Sequence, residues 1–112
     1  MRPHVDTAVT ASGGNVFADL GFANAELELA KARMVQSIAD EIARRGLSQR
    51  EAGTVIGLPQ PKLSTLLRGQ WARYSLDRLV RFATRLGLDV TVRIERTGGG
   101  PGDRTGRLTV AA

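Results

Sequence analysis

The chain has 112 residues, no cysteine, a single histidine and a formal charge of +5 from 16 Lys and Arg against 11 Asp and Glu, which describes one small domain. A chain of this length buries roughly two thirds of its unfolded surface, enough for one core but not for a core plus an elaborate enzyme cleft. Disulfides and thiolate metal sites are excluded by composition, the lone His4 sits in a polar N-terminal stretch, and no apolar run approaches the roughly 18 residues of a membrane span. The first 20 residues lack the basic-then-apolar order of a signal peptide, so the mature chain is expected to be the whole chain, acting in a reducing cytoplasm.

Residues 1–14 (MRPHVDTAVTASGG) are small, polar and unpatterned, and residues 97–112 (TGGGPGDRTGRLTVAA) repeat that character. Both are expected to be flexible tails around an ordered domain of residues 15–96. Asn24 is positioned to N-cap a helix through ELELAKARMVQSIADEIARR that Gly46 ends. Glu26 and Glu28 in its first turn and Arg44 and Arg45 in its last suit the helix dipole. Leu27, Ala30, Met34, Ile38 and Ile42 recur at three- and four-residue steps and mark the buried stripe, while Lys31, Arg33, Asp40 and Glu41 are expected in water.

Ser48 and Glu51 form the S-x-x-E pattern of a capping box, which opens a short helix over Gln49–Ile56 that Gly57 closes. After Leu58-Pro59-Gln60, Pro61 stands in the first turn of a third helix, where a missing N–H costs nothing, and Gly69 ends that helix beyond Arg68. Ser75 caps a fourth helix, LDRLVRFATRL, with Leu76, Leu79, Val80, Ala83 and Leu86 on its inner face before Gly87 stops it. Arg78, Arg81 and Arg85 then face outward, and Arg78 and Arg85 are expected to do no more than solvate that face. From Leu88 to Arg96 the pattern alternates: Leu88, Val90, Val92 and Ile94 on one side, Asp89, Thr91, Arg93 and Glu95 on the other. That is the pattern of a β-strand. A single strand cannot satisfy its own backbone, so it pairs with Asn15-Val16-Phe17 or with the same strand of a second copy. The second copy is preferred because a two-fold exchange needs no other strand in the chain.

The charge is unevenly spread. Residues 60–85 hold Lys62, Arg68, Arg73, Arg78, Arg81 and Arg85 against Asp77 alone, so this quarter of the chain carries the whole net charge of +5. A polyanion is its natural partner. The same region contains the second of two short helices joined by a tight turn, in LSQREAGTVIGLPQPKLSTLLRG, and that spacing is a helix-turn-helix. Ala52 and Gly53 are small where the helices must cross, Gly57 lets the backbone turn with positive φ, and Leu58, Leu63 and Leu66 pin the second helix to the core. Trp71 and Tyr74, in the following turn, are expected to pack rather than to stack on bases.

Gln49, Ala52, Gly57, Gln60, Pro61, Lys62, Leu63, Ser64 and Arg68-Gly69 resemble the DNA-binding domain of the Xre family, the phage-repressor and Cro type. Over residues 15–95 the chain is similar to the short HigA-type antitoxins of that family. The resemblance implies a mainly α fold, a lambda-repressor-like bundle of four to five helices with one C-terminal β-strand used in dimer pairing. It implies a homodimeric transcriptional repressor that binds an inverted-repeat operator in double-stranded DNA and neutralises a small HigB/RelE-like toxin. No cofactor, metal or membrane contact is implied, and the location is the cytoplasm, at the nucleoid when bound to DNA. Two positions depart from the family pattern. Gly53 stands where Ala is commoner, at a cost of about 1 kcal/mol in helix propensity, and Pro59 stands where a Ser or Thr would cap the helix and reach a phosphate.

The residues themselves support the same mechanism. With Gln60–Arg68 as the recognition helix, the Gln60 amide suits a bidentate pair with adenine, Lys62 reaches a guanine edge or a phosphate, and Ser64 and Thr65 are short enough to let the helix enter the groove. Gln49, Arg50, Arg68 and Arg73 are candidates for phosphate contacts, which set affinity and register rather than sequence. Leu88, Val90, Val92 and Ile94 are the candidate dimer contact. Phe17, Leu20 and Phe22 precede the first helix and either meet a toxin or fold back onto the domain as a staple. A stand-alone Xre regulator without a toxin is the alternative. An enzyme is not expected: there is no Cys nucleophile, no plausible His base and no phosphate-binding Gly-rich loop, since Gly98-Gly99-Gly100 precedes Pro101 rather than a helix.

Overall fold

The computed structural model describes residues 24–96 and 106–111. Residues 1–14, the Asn15-Val16-Phe17 segment, Leu20, Phe22 and residues 97–105 lie outside the described part. Among the described residues the elements are α1 (Asn24–Arg45), α2 (Gln49–Ile56), α3 (Gln60–Leu67) and α4 (Leu76–Arg85). The fold is all-α over this part.

α1 already includes Asn24 as its first residue, and its buried stripe contains Leu27, Ala30, Met34, Ile38 and Ile42 with Val35 beside them. Lys31 departs from expectation, being only 5% exposed. It lies one helical turn from both Leu27 and Val35 and so falls inside the stripe, and its ammonium sits 3.7 Å from the Glu28 carboxylate. Arg33 and Asp40 are exposed as expected, and Glu41 is half-buried. α1 packs along α4 and touches α3, while α4 also meets α2, so the long helix and the last helix form a platform for the α2–α3 pair. The largest fully buried side chains come from all four helices and the residue that caps α4: Ile38, Ile56, Leu63, Leu66, Leu79 and Leu86. Each contributes about 1.5–3 kcal/mol on leaving water.

In α4, Leu76, Leu79 and Ala83 are buried as read, Leu86 is buried at the C-cap, Phe82 joins them, and Val80 lies at the margin. Phe82 meets Tyr74 edge-on, with ring centroids 5.9 Å apart. The Arg78 guanidinium lies 5.0 Å from the Tyr74 ring centre and 5.4 Å from that of Phe82. Arg78 therefore covers two aromatic faces rather than merely solvating the helix.

The expected strand over Leu88–Arg96 is not seen among the described residues, none of whose backbone groups bonds to Asp89–Arg96. A strand needs a neighbour to exchange hydrogen bonds with, and the described backbone places none beside it. The alternation itself survives, with Leu88 and Val90 half-buried against the core and Asp89 and Thr91 exposed. Residues 106–111, grouped with the C-terminal tail on composition, are held along α1. The Leu108 amide donates to Glu26 Oε2 at 2.7 Å, Arg33 Nη1 donates to the Val110 carbonyl at 2.9 Å, and Leu108 and Val110 pack on the core.

Candidate nucleic-acid interface

The turn between α2 and α3 is built from local bonds. Ser48 caps α2 by accepting from the Glu51 amide at 3.0 Å, while the Ser48 amide donates to Glu51 Oε1 at 2.8 Å. The Ser48 amide, and then its hydroxyl, hold the Glu51 carboxyl below the ordinary carboxylate range. Gly57 closes the helix at φ 80°, and its amide and that of Leu58 both donate to the Gly53 carbonyl, at 2.8 and 2.9 Å. A Cβ at Gly53 would stand 2.5 Å from the Leu58 carbonyl oxygen. The departure from Ala at this position thus has a steric cause: the chain turns back across this face of α2 with no room for a methyl group. Pro59 caps α3 with no side-chain bond, and Gln60 and Pro61 open the helix.

This geometry brings Gln49 and Gln60 together. Each is the first residue of its helix, and Gln60 Nε2 donates to Gln49 Oε1 at 2.9 Å. The bond leaves Gln60 with its amide oxygen and a second N–H, and Gln49 with its whole NH₂ group. Gln60 and Lys62 are exposed at the start of α3, and Ser64 and Thr65 are half-buried on it. Thr65 Oγ1 donates to the Lys62 carbonyl at 2.9 Å. Arg50, Arg68 and Arg73 are exposed on α2, at the end of α3 and in the following turn. No acidic residue lies in the first turn of α3.

A family described as helix-turn-helix domain matches residues 16–95. The chain belongs to that family. A solved structure assigned to the XRE family of transcriptional regulators superposes on this helix-turn-helix protein with a TM-score of 0.71. That match has 29% sequence identity over 80% of this chain and 99% of the other. No curated protein matches it in sequence. The family is described as a helix-turn-helix domain and the solved structure as a transcriptional regulator, and the family to which the chain belongs is non-enzymatic.

Sequence reasoning missed two contributions to this helix-turn-helix. Gln49 and Gln60 were each legible, but not their bond; the signal available was that both open their helices across one tight turn. Arg85 was read as a solvating residue, yet its Nη1 donates to the Ile56 carbonyl at 3.0 Å. It thereby satisfies one of the carbonyls left free at the end of α2, where a cation is also favoured by the helix dipole. Trp71 and Tyr74 are packing residues as expected: Tyr74 is buried, and Trp71 Nε1 donates to Glu28 Oε1 at 3.1 Å. Among the described residues no helix is long and apolar enough to cross a membrane, and no three acidic or His side chains cluster as metal ligands.

Proposed function

We propose that this helix-turn-helix protein is a transcriptional repressor that binds an inverted-repeat operator as a homodimer, with α3 in the major groove. The observation that carries the reading is the Gln60-to-Gln49 hydrogen bond. With one N–H spent on Gln49, the remaining N–H and the oxygen of Gln60 match N7 and N6 of adenine, and the Gln49 NH₂ is free for a phosphate oxygen. Lys62 reaches a neighbouring base edge or phosphate, and Ser64 and Thr65 line the groove wall. Arg50, Arg68 and Arg73 supply phosphate contacts, and the +5 of residues 60–85 supplies the long-range attraction. One domain reads only a few base pairs, so two half-sites about one helical turn apart require the dimer, for which Leu88, Val90, Val92 and Ile94 are the contact.

The test is binding to the DNA upstream of the protein's own gene. Gln60→Ala with Lys62→Ala should erase the preference for that DNA over random sequence while the melting temperature stays unchanged. Loss of folding would show that the two residues are structural. Arg68→Ala should weaken binding to both DNAs and lower the salt dependence by about one counterion.

The similarity to HigA-type antitoxins supports a second role, neutralising a small HigB/RelE-like toxin, with Phe17, Leu20 and Phe22 as the contact. Expression with the neighbouring genes and a high-salt wash tests it. A small protein that remains bound and arrests growth on its own makes this chain an antitoxin, whereas a chain purified alone beside harmless neighbours makes it a stand-alone regulator.

A further inference from the structure

The fold leaves the apolar face of residues 88–96 unfinished. Leu88 and Val90 rest against the core, whereas Val92 and Ile94 are 82% and 91% exposed. The opposite face carries Asp89, Thr91, Arg93 and Glu95. Arg93 Nε lies 3.3 Å from Glu95 Oε2, so alternate residues share that face, as in extended backbone. The segment thus has one apolar face and one charged face, its edges make no backbone bonds to the described residues, and its charges decide how a second copy fits it.

When two copies of one strand pair antiparallel about a two-fold axis, directly opposed side chains share a face, so the axis must pass beside a single residue. Three registers pair most of this segment. An axis beside Arg93 sets two guanidiniums against each other. An axis beside Val92 opposes Asp89 to Glu95, twice, and Leu88 to Arg96. An axis beside Thr91 opposes Asp89 to Arg93, twice, sets threonine against threonine, and lays Val92 and Ile94 of each copy against Val90 and Leu88 of the other. Opposite charges and Thr–Thr pairs directly across a ladder stabilise it, and like charges destabilise it. Only the Thr91 register also brings every exposed apolar side chain onto one that already rests on a core.

The charge pattern points to an antiparallel pair of residues 88–94 from two copies, with the two-fold axis beside Thr91 and Asp89 of each copy facing Arg93 of the other. This rests on the homodimer reading above and adds its register.

The full chain has no cysteine, so single cysteines report the register directly. Directly opposed Cα atoms lie about 4.5–5.5 Å apart in an antiparallel pair, and diagonal neighbours about 7–8 Å, while a disulfide spans about 4.4–6.8 Å. Thr91→Cys should form a covalent dimer on mild oxidation, and Val92→Cys and Arg93→Cys should not. In sedimentation experiments Asp89→Arg should weaken the dimer about tenfold, as should Arg93→Asp, and the double swap should restore it. A dimer cross-linked by Val92→Cys, or tightened by Asp89→Arg, overturns the register and leaves the homodimer standing. A dimer indifferent to all these changes places the contact elsewhere and overturns the inference. A chain that stays monomeric at high micromolar concentration overturns the homodimer reading itself.

Discussion

Residues 48–69 and residues 88–96 satisfy their backbones in opposite ways. In the helix-turn-helix, Ser48, Glu51, the Gly53 carbonyl and Arg85 close the ends of α2 from within one chain, and Leu63 and Leu66 are fully buried beneath α3. In the segment after α4, the apolar Val92 and Ile94 stand in solvent, on backbone that bonds to no other described residue. A helix finds its hydrogen-bond partners four residues away, whereas a strand finds them only on another strand. The first region is therefore closed by its own chain, whereas the second has no strand beside it among the described residues and, on the homodimer reading proposed above, would gain one by association.

The contrast is broken most strongly by equivalent truncations in the two regions. Leu63→Ala should cost about 2–5 kcal/mol at any protein concentration, because it opens a cavity in a filled core. Ile94→Ala should shift the urea midpoint of the dilute chain by less than about 0.5 kcal/mol and act only on dimerisation. Equal effects of the two would show that residues 88–96 are integral to the monomer.

Gly53→Ala sharpens the account of the turn. The change gains about 1 kcal/mol in helix propensity, but the new methyl group would meet the Leu58 carbonyl oxygen at 2.5 Å, and crowding of that kind costs about 1–3 kcal/mol. Against backbone that cannot swing aside, the net effect should be destabilising in urea melts; a stabilised variant would show that the turn relaxes freely. Ser48→Ala should cost about 1 kcal/mol through loss of the N-cap, and Ser48→Gly less. The smallest effect concerns pH. The Glu51 carboxyl titrates below its ordinary range in the folded protein, so its contribution is complete above the unfolded-state value and is lost as pH falls through the lowered folded-state value. The stability difference between the protein and Glu51→Gln should therefore shrink on acidification; a difference unchanged between neutral and acid pH would remove Glu51 from the capping box.

Much of the helix-turn-helix was legible residue by residue. The Ser48 and Ser75 caps, the Gly57 turn and the stripe on α1 are all signalled within a few positions of where they act, and each is found where the local pattern places it. Of the candidate interface, the separate residues were legible and their geometry was not. Gln49 and Gln60 are 11 positions apart and Arg85 and Ile56 are 29 apart, separations that periodicity does not address. Leu108 and Val110 were passed over because a composition of Gly, Thr and Arg around them hid a short alternating pattern that acquires meaning only against α1.

By itself the sequence determined the four helices to within a residue or so of their ends and most of the stripe that each turns inward, because caps, glycines and apolar spacing act through neighbours three or four residues away. Only the tertiary structure decided that Lys31 lies inside the stripe beside Glu28, that Gln49 holds Gln60, and that Arg85 closes α2. It alone also left residues 88–96 without a ladder among the described residues. Those outcomes depend on which surfaces lie opposite one another, and in a small helical domain that is set by how the helices cross rather than by any one segment.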